Sequence, residues 1–156
     1  MRQIRRETLP QVNGVGIFFD LDNFKEIMKK MGWTEYKPNI ITGNLTKHIQ
    51  LFASKYNANI LWGLNQERGT EEAYLEVVEP DPEKLYNDLE EIREKIEKLG
   101  KETKSNAKLS IGVAYGKIEN IKPRSKRELI KTPLGKKAWK ALKTAKKTGG
   151  NKVIQF

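Results

Sequence analysis

The stretch Gly16-Ile17-Phe18-Phe19-Asp20-Leu21-Asp22-Asn23-Phe24-Lys25 decides the fold of this chain and points to its chemistry. Its apolar part begins at Val15 and has the continuous hydrophobic pattern of a buried β-strand. Residues two apart lie on the same side of a strand, so Asp20 and Asp22 are expected on one side of the strand end. Two like charges held close together raise each other's pKa values, and a hard cation such as Mg²⁺ relieves the repulsion while leaving positions for phosphate oxygens. The stretch therefore predicts a metal-dependent nucleotide site.

The same two acids also allow a purely structural interpretation. Asp20 could cap the helix that follows, and Asp22 could be a solvated acid in the first turn of that helix. Both arrangements are common at helix starts, so the motif by itself leaves the two interpretations open.

Composition predicts one soluble cytoplasmic domain. The chain has 156 residues, 37% of them hydrophobic, which suffices for one core and is short for two. Residues 1–13 form a basic arm without the apolar segment of a signal peptide, and no apolar run approaches the roughly 20 residues of a membrane span. Residues 14–156 are expected to form the domain.

Residue types limit the chemistry that the chain can perform. The sequence contains no cysteine, which excludes disulfides, thiolate catalysis and cysteine-ligated zinc. The single histidine, His48, lies beside an apolar helical stripe and is interpreted as a boundary residue rather than a catalytic one. Any metal must therefore be bound by oxygen atoms.

Charge is distributed unevenly along the chain. Residues 1–100 carry 14 Lys and Arg against 17 Asp and Glu, whereas residues 101–156 carry 16 against 3. The resulting net charges are −3 and +13, so the C-terminal third is the surface expected to meet an anion, including nucleic acid. The alternative is that these lysines are simply solvated.

Hydrophobic periodicity and turn residues predict the elements of secondary structure. Strands are expected at 12–21, 59–64, 73–78, 109–115 and 153–156. Helices are expected at 23–31, along the apolar stripe from Ile41 to Tyr56, from the Asp81-Pro82 start to a stop at Gly100, and from Pro133 to Lys147.

This order predicts an α+β fold, ferredoxin-like (βααββαβ), with an added C-terminal helix and strand and with helices packed on an antiparallel sheet. Right-handed crossovers place the third strand beside the first and antiparallel to it. Asp20 is then expected next to the hairpin turn that carries Glu67, Glu71 and Glu72. Carboxylates distant in sequence would meet at one sheet edge, as a metal site without histidine requires.

Four segments in order carry a resemblance to a known family: Phe19 to Lys25, Gly69-Thr70-Glu71-Glu72-Ala73, Ser110 to Ala114, and Ala141 to Val153. They are similar to the first-strand motif, the signature hairpin, the following strand, and the closing helix and strand of the GGDEF and related nucleotidyl cyclase palm domains. The archaeal ring-opening GTP cyclohydrolases and the polymerase-cyclase palms of CRISPR systems share this scaffold, and the chain is also similar to them.

The resemblance implies a site for Mg²⁺ (or Mn²⁺) and the triphosphate of a nucleotide such as GTP or ATP. Asp20 would be a metal ligand together with the Leu21 carbonyl. Glu71 would be the hairpin ligand, with Glu72 as its neighbour or substitute. These acids would be the catalytic residues of an in-line attack by a ribose hydroxyl on the α-phosphate.

The resemblance also implies how the phosphates are held. The amides near Asn23, Phe24 and Lys25 would bind them at the start of a helix, where the helix dipole favours anions. Lys146 matches the phosphate-binding lysine of the family.

Some positions depart from the family pattern. Thr70 replaces the second glycine of the signature and Ala73 its aromatic residue, while Met28 replaces a base-reading asparagine and Gly150 a basic residue. These departures argue against specific synthesis of cyclic diguanylate. They leave open a palm that binds nucleotides without turnover, or a ring-opening GTP hydrolase, whose two palms would here require a homodimer.

Overall fold

The secondary structure follows the predicted order closely. The computed structural model describes residues 12–118 and 122–156, so residues 1–11 of the expected arm lie outside the described residues. The strands are β1 Val12–Leu21, β2 Asn59–Trp62, β3 Glu72–Val78, β4 Leu109–Ile118 and β5 Val153–Gln155. The helices are α1 Phe24–Met31, α2 Ile40–Tyr56, α3 Pro82–Thr103, α4 Lys126–Leu129 and α5 Pro133–Lys147.

The strands form one sheet in the order β2-β3-β1-β4-β5. The first four are antiparallel to their neighbours, and β5 is added at the edge parallel to β4. The ferredoxin-like arrangement predicted from the sequence is therefore confirmed, with β3 beside β1 and antiparallel to it. Its consequence for the site is that Asp20 lies directly opposite Glu72.

Both faces of the sheet are covered by helices, which explains the uninterrupted apolar run of β1. Alternate residues such as Ile17 and Phe19 pack into a core beneath α1, α2 and α3. Phe18 points the other way, into a second core with Tyr74 and residues of α4 and α5 such as Leu142. A strand buried on both faces needs apolar residues at successive positions rather than at alternate ones.

The predicted stop of α3 at Gly100 is wrong, because the helix continues to Thr103. A Cβ atom at Gly100 would lie 2.4 Å from the carbonyl oxygen of Ala107, so the glycine permits close packing of the helix against the following chain. Lys104, in the left-handed conformation, caps the helix instead. At the other end Asp81 occupies the capping position, but its side chain makes no capping hydrogen bond.

Other elements also differ from the prediction. β4 continues to Ile118, three residues past its predicted end at 115. β2 ends at Trp62 because Gly63, with φ of 95°, turns the chain away, and a Cβ there would lie 2.2 Å from the carbonyl oxygen of Glu72. The short helix α4 was not predicted, because four residues are too few to show a period. Within residues 12–118 and 122–156, no helix has both the length and the apolar content that crossing a membrane requires.

Candidate functional site

Asp20 and Glu72 form the centre of the candidate site. They face each other across the β1–β3 ladder, so their side chains leave the sheet on the same face, the one covered by α5. Their side chains are 23% and 33% exposed, which leaves both carboxylates partly accessible to a ligand. Two carboxylates held directly opposite each other are unfavourable unless a cation lies beside them.

Lys146 of α5 supplies a cation to one side of this pair. Its ammonium nitrogen lies 3.3 Å from Asp20 Oδ2 and 2.8 Å from Asp22 Oδ1. It also donates to the main-chain carbonyl oxygens of Asp20 at 3.3 Å and Leu21 at 3.1 Å. The end of β1 is therefore a cradle of oxygen atoms around a positive charge.

The position of Lys146 depends on how closely α5 approaches the sheet. A Cβ atom at Gly112 of β4 would lie 2.3 Å from the main-chain nitrogen of Leu142 and 2.5 Å from the carbonyl oxygen of Ala138. No other residue type fits this contact without moving the helix. Gly112 thus sets the distance at which α5 presents its lysine.

Asp22 has a different environment from Asp20. Its side chain is only 12% exposed, and besides Lys146 it accepts hydrogen bonds from Ser110 Oγ at 2.7 Å and from the main-chain N–H of Asn151 at 2.7 Å. Asn23, rather than either acid, occupies the capping position of α1. The alternative in which Asp20 caps the helix and Asp22 is solvated is therefore not what the structure contains.

The electrostatics of Asp20 reflect its burial. The pKa of its carboxyl is raised from 3.8 to about 6, with desolvation as the largest cause and the charge of Glu72 adding to the rise. Lys146 and Lys126 oppose this rise. Two lysines thus fail to offset the burial of this carboxyl, and a divalent cation would favour its charged form more strongly.

The other acids of the hairpin lie farther from this centre. Burial is the largest cause that raises the pKa of Glu71, and the negative charges of Glu35 and Glu72 add to the rise. Glu67 lies in the exposed turn, where its main-chain N–H donates to Asn65 Oδ1. The structure therefore brings Glu72 rather than Glu71 opposite Asp20.

A cleft of about 350 Å³ opens beside the hairpin. Its lining consists of Glu35, Trp62, Gly63, Asn65, Arg68, Gly69, Glu71 and Glu72. A second groove, of about 380 Å³, shares Glu35 with it and is lined further by Lys25, Glu26, Met28, Lys29 and Trp33.

Thr70 accounts for one departure from the family signature. Its buried hydroxyl lies 2.6 Å from that of Thr46 and accepts a hydrogen bond from the main-chain N–H of Asn65. Its own N–H donates to the carbonyl of Thr42 on α2. At Gly69, with φ of 84°, a Cβ would lie 2.1 Å from Thr42 Oγ1. The threonine therefore links the hairpin to α2 by hydrogen bonds.

The start of α1 presents main-chain amides near the acid pair. Asn23 has a left-handed conformation, and its side chain makes no capping hydrogen bond. The main-chain N–H of Ile27 donates to the Asn23 carbonyl oxygen. The earlier amides of the turn have no such partner within the helix. Phe24 is buried, so only its main chain can meet a ligand, whereas the Lys25 side chain is exposed.

The donor set fits a magnesium ion that shares its coordination with water and substrate. Among the described residues, no three His, Cys, Asp or Glu side chains converge on a point that could hold a metal. The centre offers the carboxylates of Asp20 and Glu72 and the Leu21 carbonyl, and Lys146 already contacts the Asp20 carboxylate and the Leu21 carbonyl. Mg²⁺ is commonly held by one or two carboxylates plus phosphate oxygens and water, so the cradle suits it once Lys146 moves aside.

Sequence reasoning missed one cation at this site, Lys126 of α4. Its ammonium nitrogen lies 2.6 Å from Glu72 Oε1 and 4.5 Å from the ring centre of Trp139. A signal was present in Ser125 and Glu128, which form a reciprocal capping box around the helix start. That pattern predicts the helix, but it does not show which acid the lysine reaches.

Comparison with known proteins finds similarity in structure only. No protein-family model and no curated protein matches the sequence. The active GGEEF domain of a diguanylate cyclase from Vibrio cholerae has a TM-score of 0.59 at 19% identity, covering 93% of this chain and 83% of that one.

Two further solved structures are similar. The coiled-coil and GGDEF domain of DgcB from Caulobacter crescentus, in complex with c-di-GMP, has a TM-score of 0.57 at 17% identity, covering 93% of this chain and 70% of that one. A bacterial light-regulated adenylyl cyclase has a TM-score of 0.53 at 14% identity, covering 74% of this chain and 59% of that one. The resemblance predicted from four sequence segments is confirmed at the level of fold: this chain has the palm fold of the GGDEF and related nucleotidyl cyclase domains.

Proposed function

We propose that this protein is a Mg²⁺-dependent palm that acts on a nucleoside triphosphate, GTP or ATP, as a nucleotidyl cyclase or nucleotidyltransferase. The observation that carries the proposal is the Asp20–Glu72 pair, held opposite each other beside the amides of α1 and the ammonium group of Lys146. Such a substrate places the activity in the cytoplasm. The fold of diguanylate and adenylyl cyclases supports the class of reaction.

Asp20, Glu72 and the Leu21 carbonyl would hold the metal. The bound Mg²⁺ or Mn²⁺ would stabilise negative charge that develops on the phosphate oxygens. Glu71 is the candidate proton acceptor, because burial raises its pKa and makes its carboxylate a better base.

The triphosphate would bind at the start of α1. The amides of Asn23, Phe24 and Lys25 point along the helix axis at its positive end, where anions are favoured. Lys146 would leave the Asp20 and Asp22 carboxylates and pair with phosphate oxygens. In the reaction, a ribose hydroxyl oxygen bonds to the α-phosphorus, the bond from the α-phosphorus to the bridging oxygen breaks, and pyrophosphate leaves with the electron pair.

Product analysis tests this proposal. The protein is incubated with each of the four NTPs and Mg²⁺ or Mn²⁺, and products are resolved by chromatography and mass spectrometry. Asp20→Asn and Glu72→Gln are expected to lower turnover by on the order of a hundredfold or more, because each removes a charge that holds the metal. Glu67→Gln, in the exposed turn, is the matched control. Identical product profiles for wild type and Asp20→Asn would reject the proposal.

A palm that binds nucleotides without turnover is the second candidate. The observation that favours it is that Lys146 and Lys126 already pair with both acids of the centre. In that case calorimetry detects NTP or cyclic dinucleotide binding while no product forms. The product analysis also separates a third outcome, ring-opening hydrolysis of GTP, from cyclisation.

A homodimer is proposed for reactions that need two palms. Joining two nucleotides requires two triphosphates, and one chain provides one acid pair. Sedimentation velocity with and without nucleotide tests this, and a monomer that forms a dinucleotide product would contradict it.

The α5 surface favours nucleic acid as a further partner. Residues 129–156 contain eight lysines and no acid. Lys136, Lys140, Lys143 and Lys147 are exposed and share one helical stripe. Binding to single strands should weaken steeply with salt, and replacing all four lysines by glutamine should flatten that dependence. Unchanged salt dependence in the fourfold variant would remove this partner.

A further inference from the structure

Lys126 is placed on the acid pair from the side opposite to Lys146. Its ammonium nitrogen lies 2.6 Å from Glu72 Oε1, while Lys146 contacts Asp20. The same nitrogen lies 4.5 Å from the ring centre of Trp139 and 5.6 Å from that of Trp62. Trp62 and Glu72 both line the 350 Å³ cleft, so the lysine contacts two residues of the cleft lining.

The surrounding chain fixes the backbone of Lys126. Leu129 of the same helix is fully buried in the core beneath α5. The main-chain N–H of Arg124 donates to the carbonyl of Leu61 on β2, and the capping box formed by Ser125 holds the first turn of α4. These contacts hold the backbone of Lys126 in place beside the site. Its side chain is about one third exposed.

This placement matters once the acids bind a metal. Glu72 then directs its charge to the metal, and Lys126 loses its partner. The two tryptophan faces still attract an ammonium group there, because the face of an aromatic ring is electron-rich. They hold the lysine near the centre without neutralising its charge, which leaves that charge for an incoming anion.

We propose that Lys126 is a second phosphate-binding cation of the site, exchanging Glu72 for the terminal phosphate oxygens of a bound nucleoside triphosphate. This inference rests on the proposed function and adds a specificity residue to it. Lys146 and Lys126 contact the acid pair from two sides, so a triphosphate lying over the pair meets a lysine at each end. A nucleoside monophosphate lacks the terminal phosphate oxygens that Lys126 would bind.

Binding measurements with truncated ligands test this role. Isothermal titration calorimetry with Mg²⁺ gives the Kd of an α,β-methylene nucleoside triphosphate and of the nucleoside monophosphate. The variants are Lys126→Met, Lys126→Arg and, as the matched control, Lys98→Met at an exposed position of α3. Lys126→Gln serves as a second test variant, because it removes the charge yet can still donate to Glu72.

Lys126→Met and Lys126→Gln are expected to weaken triphosphate binding about tenfold or more, as for loss of a charge-assisted hydrogen bond. Monophosphate binding should change less than twofold, and Lys126→Arg should retain most of the triphosphate affinity. Equal weakening of both ligands, or unchanged or tighter triphosphate binding, would overturn the proposal. A wild type that binds no triphosphate rejects the proposed function itself, whereas a wild type that binds while Lys126→Met binds equally well rejects only the role of Lys126.

Discussion

Replacing Asp20 by asparagine should stabilise the protein while removing its proposed activity. The folded chain raises the pKa of this carboxyl from 3.8 to about 6, and burial is the main cause. At about 1.36 kcal/mol per pKa unit, this rise corresponds to about 3 kcal/mol. The side chain is 23% exposed, so solvent screening reduces the expected gain to about 2 kcal/mol at neutral pH.

The sign of the pH dependence follows from proton linkage. Because the folded state has the higher pKa, it binds more protons than the unfolded state between about pH 4 and 6. The contribution of Asp20 to the free energy of unfolding therefore falls as pH rises through this range. Asparagine does not titrate, so the advantage of Asp20→Asn should grow from near zero at pH 4 to its full value above pH 6.

Urea denaturation of both proteins at several pH values between 4 and 8, in the presence of EDTA, measures this difference. Asp22→Asn is the control, because Asp22 accepts hydrogen bonds from Ser110 and the Asn151 main chain as well as pairing with Lys146. An amide nitrogen cannot accept these bonds, so this variant should be less stable than the wild type. Parallel stability curves for wild type and Asp20→Asn across this pH range would refute the reasoning.

Three other perturbations give separate checks. Gly112→Ala should lower the free energy of unfolding by about 1–3 kcal/mol, measured by urea denaturation, because the new Cβ would collide with the main chain of α5. Gly116→Ala is the control: its Cβ meets only a flexible Leu134 methyl group at 3.3 Å, so its effect should be close to zero. Asn39→Ala should cost about 1 kcal/mol, since Asn39 Oδ1 accepts two amide hydrogen bonds at the start of α2, and an unchanged urea midpoint would contradict this. Mn²⁺ at a hundred times its Kd should raise the free energy of unfolding of wild type by about 2.7 kcal/mol, and that of Asp20→Asn by much less, in thermal denaturation.

The sequence was sufficient for the sheet, because its strongest signals were local. The uninterrupted apolar run before Asp20 indicated a central strand, and the order of strands and helices then determined which strands are neighbours. The closing helix was equally readable, since its small residues recur on the face that packs against Gly112. These features depend on hydrophobic periodicity and on general rules for connecting strands and helices, and both can be applied to the sequence alone.

The side-chain pairing at the site could not be read in the same way. Whether Glu71 or Glu72 lies opposite Asp20 depends on the register of one ladder, and a shift by one residue exchanges the two faces of a strand. The length of the hairpin does not fix that register. Lys126 contacts Glu72 although the two residues are 54 positions apart in the sequence. It lies on a four-residue helix, which is too short to show a hydrophobic period.

The oxygen cradle around Lys146 has a consequence for the order of ligand binding. Under the proposed function, a metal ion arriving alone must displace an ammonium group that four oxygen atoms already contact. A nucleotide arriving alone must draw Lys146 away from Asp20 and leave that carboxylate without its cation. Arriving together, each ligand removes the obstacle to the other, because the phosphates receive the displaced lysine. Thermodynamic reciprocity then requires that the factor by which metal tightens nucleotide binding equal the factor by which nucleotide tightens metal binding. Under the proposed function, the site would therefore bind the metal–nucleotide complex more tightly than the separate affinities for metal and nucleotide imply.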